Sequence, residues 1–250
     1  MRLGGLLKNT ALDFPGKFSA AVFTQGCDFT CPYCHNPHLV RPGRASVRQD
    51  GGDAHAARPS LSLVSAPPLD EEEVLDFLRR RRPYLDGVVI SGGEPALQPD
   101  LADFCKKMRG LGYEVKLDTN GSRPEAVADL IKRKLITYAA LDLKADPAAY
   151  PRELAPSDPG EAIVETIRLL KRSNLPHEFR TTAAAPFVTR ESIAAIARAA
   201  AGPAPLYIQP YRPGQILNPD FMEAHSQPDR AELEEFRLIA SRHLPAYLRR

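Results

Sequence analysis

The chain has 250 residues, 43% of them hydrophobic and 26% charged, which is enough to bury a large core and fits a single α/β domain. Its 33 basic and 31 acidic residues leave a net charge of only +2, so neither nucleic acid nor an anionic membrane is expected as the main partner. No run approaches the ~20 apolar residues of a membrane span, and the apolar stretch after Met1 is too short for a signal peptide, so a cytoplasmic setting is expected.

In chain order, residues 1–17 read as an irregular lead-in, with a turn at Pro15-Gly16. The apolar run Phe18–Thr24 predicts a buried strand, and the loop leaving it carries Cys27, Cys31 and Cys34 in a CxxxCxxC spacing. From Arg41 to Pro68 the composition becomes small, polar and aperiodic. The part at about 43–68 reads as a mobile surface insertion within one domain spanning 1–250. A helix over 69–81 opens on Asp70-Glu71-Glu72-Glu73, carboxylates suited to the positive end of a helix. The strand Gly87–Ile90 ends at Ser91-Gly92-Gly93-Glu94-Pro95. After a helix at 100–111, the strand Glu114–Leu117 ends at Asp118-Thr119-Asn120. After a helix at 124–134, the strand Tyr138–Leu141 ends at Asp142-Leu143-Lys144. A helix at 160–173, a strand at 177–182 carrying Arg180 and a helix at 191–200 follow. A strand at 206–209 then runs into Tyr211-Arg212, and a helix at 229–243 closes the pattern.

Six strands, each followed by a helix, predict an α/β fold of (β/α)6 type, a partial TIM-type barrel, with an open doubly wound sheet as the alternative. Ligands of parallel α/β folds collect at the carboxyl ends of the strands, and the polar clusters of this chain lie at those ends. Three cysteines in eight residues suit a metal or an iron–sulfur cluster. A structural zinc with His35 as fourth ligand lacks the second CxxC-like knuckle such sites use, and Cys105 reads as a lone buried thiol on a helix. A four-iron cluster with only three cysteine ligands leaves one iron open to an external amine and carboxylate, which suggests S-adenosylmethionine (SAM). Gly92 and Gly93 form either a plain turn or a place where backbone approaches a ligand, with Glu94 accepting from the ligand's ammonium group. Asp118 and Asp142 are either caps or ion-pair partners of Lys116 and Lys144. Beside a ligand carboxylate they would repel it unless a cation bridges them. Lys144 and Arg212 read as surface charges or ligand contacts, and Arg180, mid-strand, as a ligand contact or a structural ion pair.

CxxxCxxC with the aromatic Tyr33 before its last cysteine, together with Gly92-Gly93-Glu94-Pro95, resembles the radical SAM superfamily. Further stretches resemble the activating enzymes of glycyl radical enzymes, in particular the anaerobic ribonucleoside-triphosphate reductase activating proteins. These are Asp13-Phe14-Pro15-Gly16, Phe23–Cys27, Cys34–Pro37, Leu117–Gly121, Leu141–Lys144 and Phe179–Thr182. The resemblance implies one [4Fe–4S] cluster on Cys27, Cys31 and Cys34. It also implies SAM contacts from Tyr33, Asn36, Gly92, Gly93, Glu94, Asp118, Thr119, Asp142, Lys144, Arg180 and Arg212. A monovalent-cation site is implied at Asp118, Thr119, Asp142 and the Ala140 carbonyl, and Asp13 and Gly16 would approach the substrate peptide. The implied partners are a glycyl radical enzyme as protein substrate and a one-electron donor such as flavodoxin or ferredoxin. The rival readings are a radical SAM enzyme acting on a small molecule or peptide, and a non-enzymatic zinc-stabilised binding module.

Overall fold

The computed structural model describes residues 1–40 and 68–249; the insertion expected at about 43–68 lies, except for Pro68, outside them. The strands form one sheet in sequence order. β1 (Leu3–Thr10) runs antiparallel to β2 (Ser19–Thr24), and every later pairing is parallel. After the short helix α1 (Pro37–Val40) come α2 (Glu71–Arg81), β3 (Gly87–Gly92), α3 (Leu101–Gly110), β4 (Glu114–Thr119), α4 (Pro124–Lys132) and β5 (Tyr138–Asp142). The chain continues through α5 (Gly160–Arg172), β6 (His177–Ala183), α6 (Arg190–Ala200), β7 (Leu206–Pro210), α7 (Pro219–Glu223), α8 (Arg230–Ala240) and β8 (Ala246–Leu248).

The local chemistry explains these elements. Asp70 caps α2, its Oδ1 accepting from Glu72 N at 2.7 Å and Glu73 N at 3.2 Å. Three glutamates fill the first turn of α2 and Arg79, Arg80 and Arg81 the last, each charge at the favourable end of the helix dipole. Val74, Leu75 and Leu78 form its inward stripe. α6 and α8 each open on a reciprocal capping box, at Thr189/Ser192 and Asp229/Glu232.

The two faces of the sheet differ. Val22, Val88, Ile90, Leu117, Leu141, Phe179 and Ile208 point to one side and merge with residues from α2 to α8 into one large core. On the other side, Phe14, Ala21 and Val89, backed by Phe23 and Tyr138, form a small separate cluster. A doubly wound sheet would carry helices, and hence a large core, on both faces. Helices on one face and a small lumen on the other make this a partial barrel, as the six central strands predict.

Two strands lie outside the expected six. β1 occupies the lead-in read as irregular, because Gly4 and Gly5 interrupt its apolar pattern. β8 follows the expected last helix and is too short to show an alternation. β4 and β5 also run further than expected, so Asp118 and Asp142 lie within strands rather than beyond them. Register then places Asp118, Asp142 and Arg180 on the lumen face with Lys116, Tyr138 and Glu178.

Candidate active site

At the carboxyl ends of the parallel strands lies a cavity of about 300 Å³. Cys27, Cys31, Cys34, Tyr33 and Asn36 line it from the loop after β2, and Gly92, Gly93 and Glu94 from the end of β3. Asp118 and Thr119 reach it from β4, Asp142 and Lys144 from the end of β5, and Arg180 from β6. Two expected residues are not in its wall. Ala140 is wholly buried mid-strand. Arg212 is exposed and lines an adjoining cleft of about 250 Å³ with His35, Thr182, Gln209 and Arg249. Asp13 and Gly16 lie on the loop joining β1 to β2, at the amino ends of the parallel strands and away from the cavity.

The cysteine loop is tied down on every side by the residues between its thiols. Asp28 accepts from Asn120 Nδ2 at 3.0 Å and pairs with Arg123 at 3.6 Å. Thr30 donates through its backbone N–H to Leu154 O at 2.8 Å and through its hydroxyl to Glu153 O at 3.2 Å. The Pro32 carbonyl accepts from Asn218 N at 2.9 Å, and His35 Nε2 donates to Arg212 O at 2.9 Å. At the root of the loop, Gly26 N donates to Leu39 O at 2.6 Å, and Glu94 N donates to Gly26 O at 2.8 Å.

That last contact explains the two glycines. A Cβ on Gly93 would collide with the Gly26 carbonyl, and one on Gly92 with the Thr24 backbone, at a φ of +120° that disfavours other residues. The glycines therefore seat the end of β3 against the root of the cysteine loop, a role beyond the ligand approach expected of them. Glu94 has partners within the protein. It is 1% exposed, and Oε1 accepts from Ala96 N at 3.0 Å and Thr119 Oγ1 at 2.7 Å, while Oε2 accepts from Asn120 N at 2.6 Å. Burial pushes its carboxyl up to about 7 against those hydrogen bonds. A ligand ammonium group would have to compete with three donors already in place.

The floor is a charge network. The Arg180 guanidinium spans two carboxylates, with Nε 2.8 Å from Asp142 Oδ1 and Nη1 3.2 Å from Asp118 Oδ2. Lys116, fully buried, donates to Asp118 Oδ1 at 2.7 Å, and Lys144 Nζ stands 3.8 Å from Asp142. Burial works against the charged forms here. Arg180 and Lys144 nonetheless hold the Asp142 carboxyl below its ordinary range, and Asp142 keeps Lys144 well above its own. Burial dominates at the thiols: it raises all three, and pushes Cys31 up to about 12. The Tyr33 hydroxyl is buried beside them with no hydrogen-bond partner among the described residues.

The wall also holds Ser91 and Asn120, expected only as part of the strand-end polar clusters, and Phe29, Thr182 and Gln209, to which sequence reasoning assigned no role. Ser91, Thr182 and Gln209 stand two residues beyond lumen-facing Val89, Arg180 and Tyr207, so strand alternation carried the signal for them.

The Radical SAM superfamily model matches residues 21–200, which takes in most of β2, the cysteine loop and all of β3 to β6. The chain belongs to the radical SAM superfamily. This radical SAM enzyme is 31% identical over 250 residues to a Methanocaldococcus jannaschii protein provisionally named as a glycyl-radical enzyme activating enzyme, covering 97% of this chain and 92% of the relative. It is 28% identical over 229 residues to the 7-carboxy-7-deazaguanine synthase of Thermococcus kodakarensis, covering 90% of this chain and 85% of the relative. Its fold matches Streptococcus suis SuiB bound to S-adenosylmethionine with a TM-score of 0.59 at 17% identity, over 90% of this chain and 48% of that one. The superfamily implies a [4Fe–4S] cluster and SAM. Three thiols on one wall, a buried unpaired hydroxyl and cationic groups on the floor fit such a pair. No described helix of this radical SAM enzyme is long and apolar enough to cross a membrane.

Proposed function

We propose that this enzyme activates a glycyl radical enzyme, taking a hydrogen from a glycine Cα on a partner protein, with anaerobic ribonucleoside-triphosphate reductase as that partner. The observation that carries the reading is the match along nearly the whole chain to a relative named as such an activase. The shape of the barrel supports it. Among the described residues β1 and β8 do not pair, so the barrel is open along one side. Leu7, registered with lumen-facing Ala21, is 43% exposed, and Tyr247, registered with Tyr207, is 52% exposed. A lumen reachable from the side, with exposed Leu7 and Tyr247 at its edges, suits an extended segment of a large partner.

In this reading Cys27, Cys31 and Cys34 would hold a single [4Fe–4S] cluster, and the cavity beside them would hold SAM. When bound, and given one electron from a donor such as flavodoxin or ferredoxin in the cytoplasm, that pair would supply the chemistry of reductive SAM cleavage. The protein's own part is positioning and exclusion of water. Lys144 and Arg180 present positive charge to a ligand carboxylate. Tyr33 offers its unpaired hydroxyl, and Phe29 with the buried wall keeps water and stray hydrogen donors away. Asn36 and the backbone of Gly92 and Gly93 complete the grip.

The test mixes reduced, cluster-loaded protein, SAM and the candidate reductase, and reads the electron paramagnetic resonance spectrum. A glycyl radical doublet is expected; SAM cleavage without a glycyl radical on any candidate partner would overturn the activase reading. The likeness to 7-carboxy-7-deazaguanine synthase favours a second reading, a small-molecule substrate. In that case a metabolite extract, and not a protein, would stimulate SAM cleavage.

A further inference from the structure

The resemblance to glycyl radical activating enzymes implied a monovalent cation held by Asp118, Thr119, Asp142 and the Ala140 carbonyl. In this structure each of those donors is already engaged. Asp118 gives Oδ1 to Lys116 Nζ at 2.7 Å and Oδ2 to Arg180 Nη1 at 3.2 Å. Asp142 gives Oδ1 to Arg180 Nε at 2.8 Å and Oδ2 to Arg180 Nη2 at 3.3 Å. All four carboxylate oxygens therefore face a resident cation. The Thr119 hydroxyl donates to Glu94 at 2.7 Å and accepts from Gly121 N at 3.1 Å. Ala140 is registered with Asp118 on one side and Glu178 on the other, so its carbonyl belongs to the sheet ladder.

We propose that Arg180 is a built-in cation that takes the place of a dissociable K+ or Na+ between Asp118 and Asp142, so that this protein binds SAM without a monovalent metal ion. Arg180 is held from below as well as from the sides. Its guanidinium lies 4.0 Å from Oε1 of the wholly buried Glu178, an oxygen that makes no hydrogen bond among the described residues and that also faces Lys116 at 3.9 Å and Arg249 at 3.8 Å. Lys116, on the same floor, is also wholly buried. Were Arg180 to swing into water, Asp142 would lose both of its hydrogen bonds to the guanidinium and keep only Lys144 at 3.8 Å, and Asp118 would keep only Lys116. A metal ion entering between the two aspartates would meet Arg180, Lys116 and Lys144 at close range, and like charges so placed repel. A guanidinium also matches two carboxylates at once through its planar fork, as one spherical ion does through its shell. Arg180 then does what the ion was expected to do: it cancels the charge of the aspartates where a ligand carboxylate must approach. This inference rests on membership of the radical SAM superfamily and not on the activase reading.

The test is SAM affinity of the cluster-loaded full-length protein, by equilibrium dialysis, at one ionic strength set with K+, Na+ or tetramethylammonium. The three dissociation constants are expected to agree within about twofold, whereas a required ion would tighten binding by about tenfold or more, saturably, in K+ or Na+. That tightening would overturn the proposal, and it needs no variant. Arg180→Met is expected to bind SAM about tenfold more weakly in tetramethylammonium, with part of the loss restored by K+; wild-type affinity in this variant would also overturn the proposal. The melting temperature of the cluster-free wild type, read in the same three salts, is expected to be the same in each. A rise confined to K+ or Na+ would show an ion bound in the fold and count against the built-in cation.

Discussion

Asp28 stands beside Cys27, and its carboxylate ties the cysteine loop to Asn120 at the end of β4 and to Arg123 before α4. Replacing it with Ala removes one partner from Asn120, a loss of about 1 kcal/mol or more. Asp28→Ala is therefore expected to keep its fold by circular dichroism and to hold less iron and sulfide per chain after reconstitution; unchanged cluster content would mean the loop is held by its other ties alone. Asp142 gives a pH signature. Arg180 and Lys144 keep its folded-state pKa below the unfolded value, so its contribution to stability is present above that unfolded value and drains as pH falls through the folded one. Melting temperatures of wild type and Asp142→Asn should differ near pH 7 and converge only as pH falls below the ordinary carboxylate range. A constant gap would show that the pair does not act through charge. At this scale the cysteines, Lys144 and the two aspartates were legible in the sequence, because their chemistry is rare or their position at a strand end is diagnostic. The support roles of Asp28 and Glu94 were not, since only the fold reveals that their partners are Asn120, Arg123 and Thr119.

The elements place these residues through close backbone contacts. Gly93→Ala would push a Cβ into the Gly26 carbonyl, so the end of β3 would have to part from the root of the cysteine loop. A loss of about 1–3 kcal/mol is expected in urea denaturation, with poorer cluster retention. Stability and cluster content equal to wild type would contradict the tight seating. Asp70→Ala removes the cap from α2 and should cost about 1 kcal/mol by the same measurement, without affecting the cluster, since α2 lies outside the cavity. The parallel strands were readable because each is a short apolar run ending in polar residues. β1 was not, since Gly4 and Gly5 hide its alternation, and β8 is only three residues long.

At the scale of the molecule, the fold gathers groups from six strand ends around one cavity and leaves the lumen open between β1 and β8. The gathering followed from the (β/α)6 pattern. The open side did not, because both of its edges are the strands that sequence reasoning missed. It is the feature that bears most on substrate size, and it leads to the most direct measurement. A candidate reductase grown on glycine deuterated at Cα is mixed with reduced, cluster-loaded protein and SAM, and the 5′-deoxyadenosine formed is analysed by mass spectrometry. The account predicts deuterium in that product in step with loss of label from one glycine of the reductase. Product free of deuterium, from a reductase whose label is intact, would contradict it.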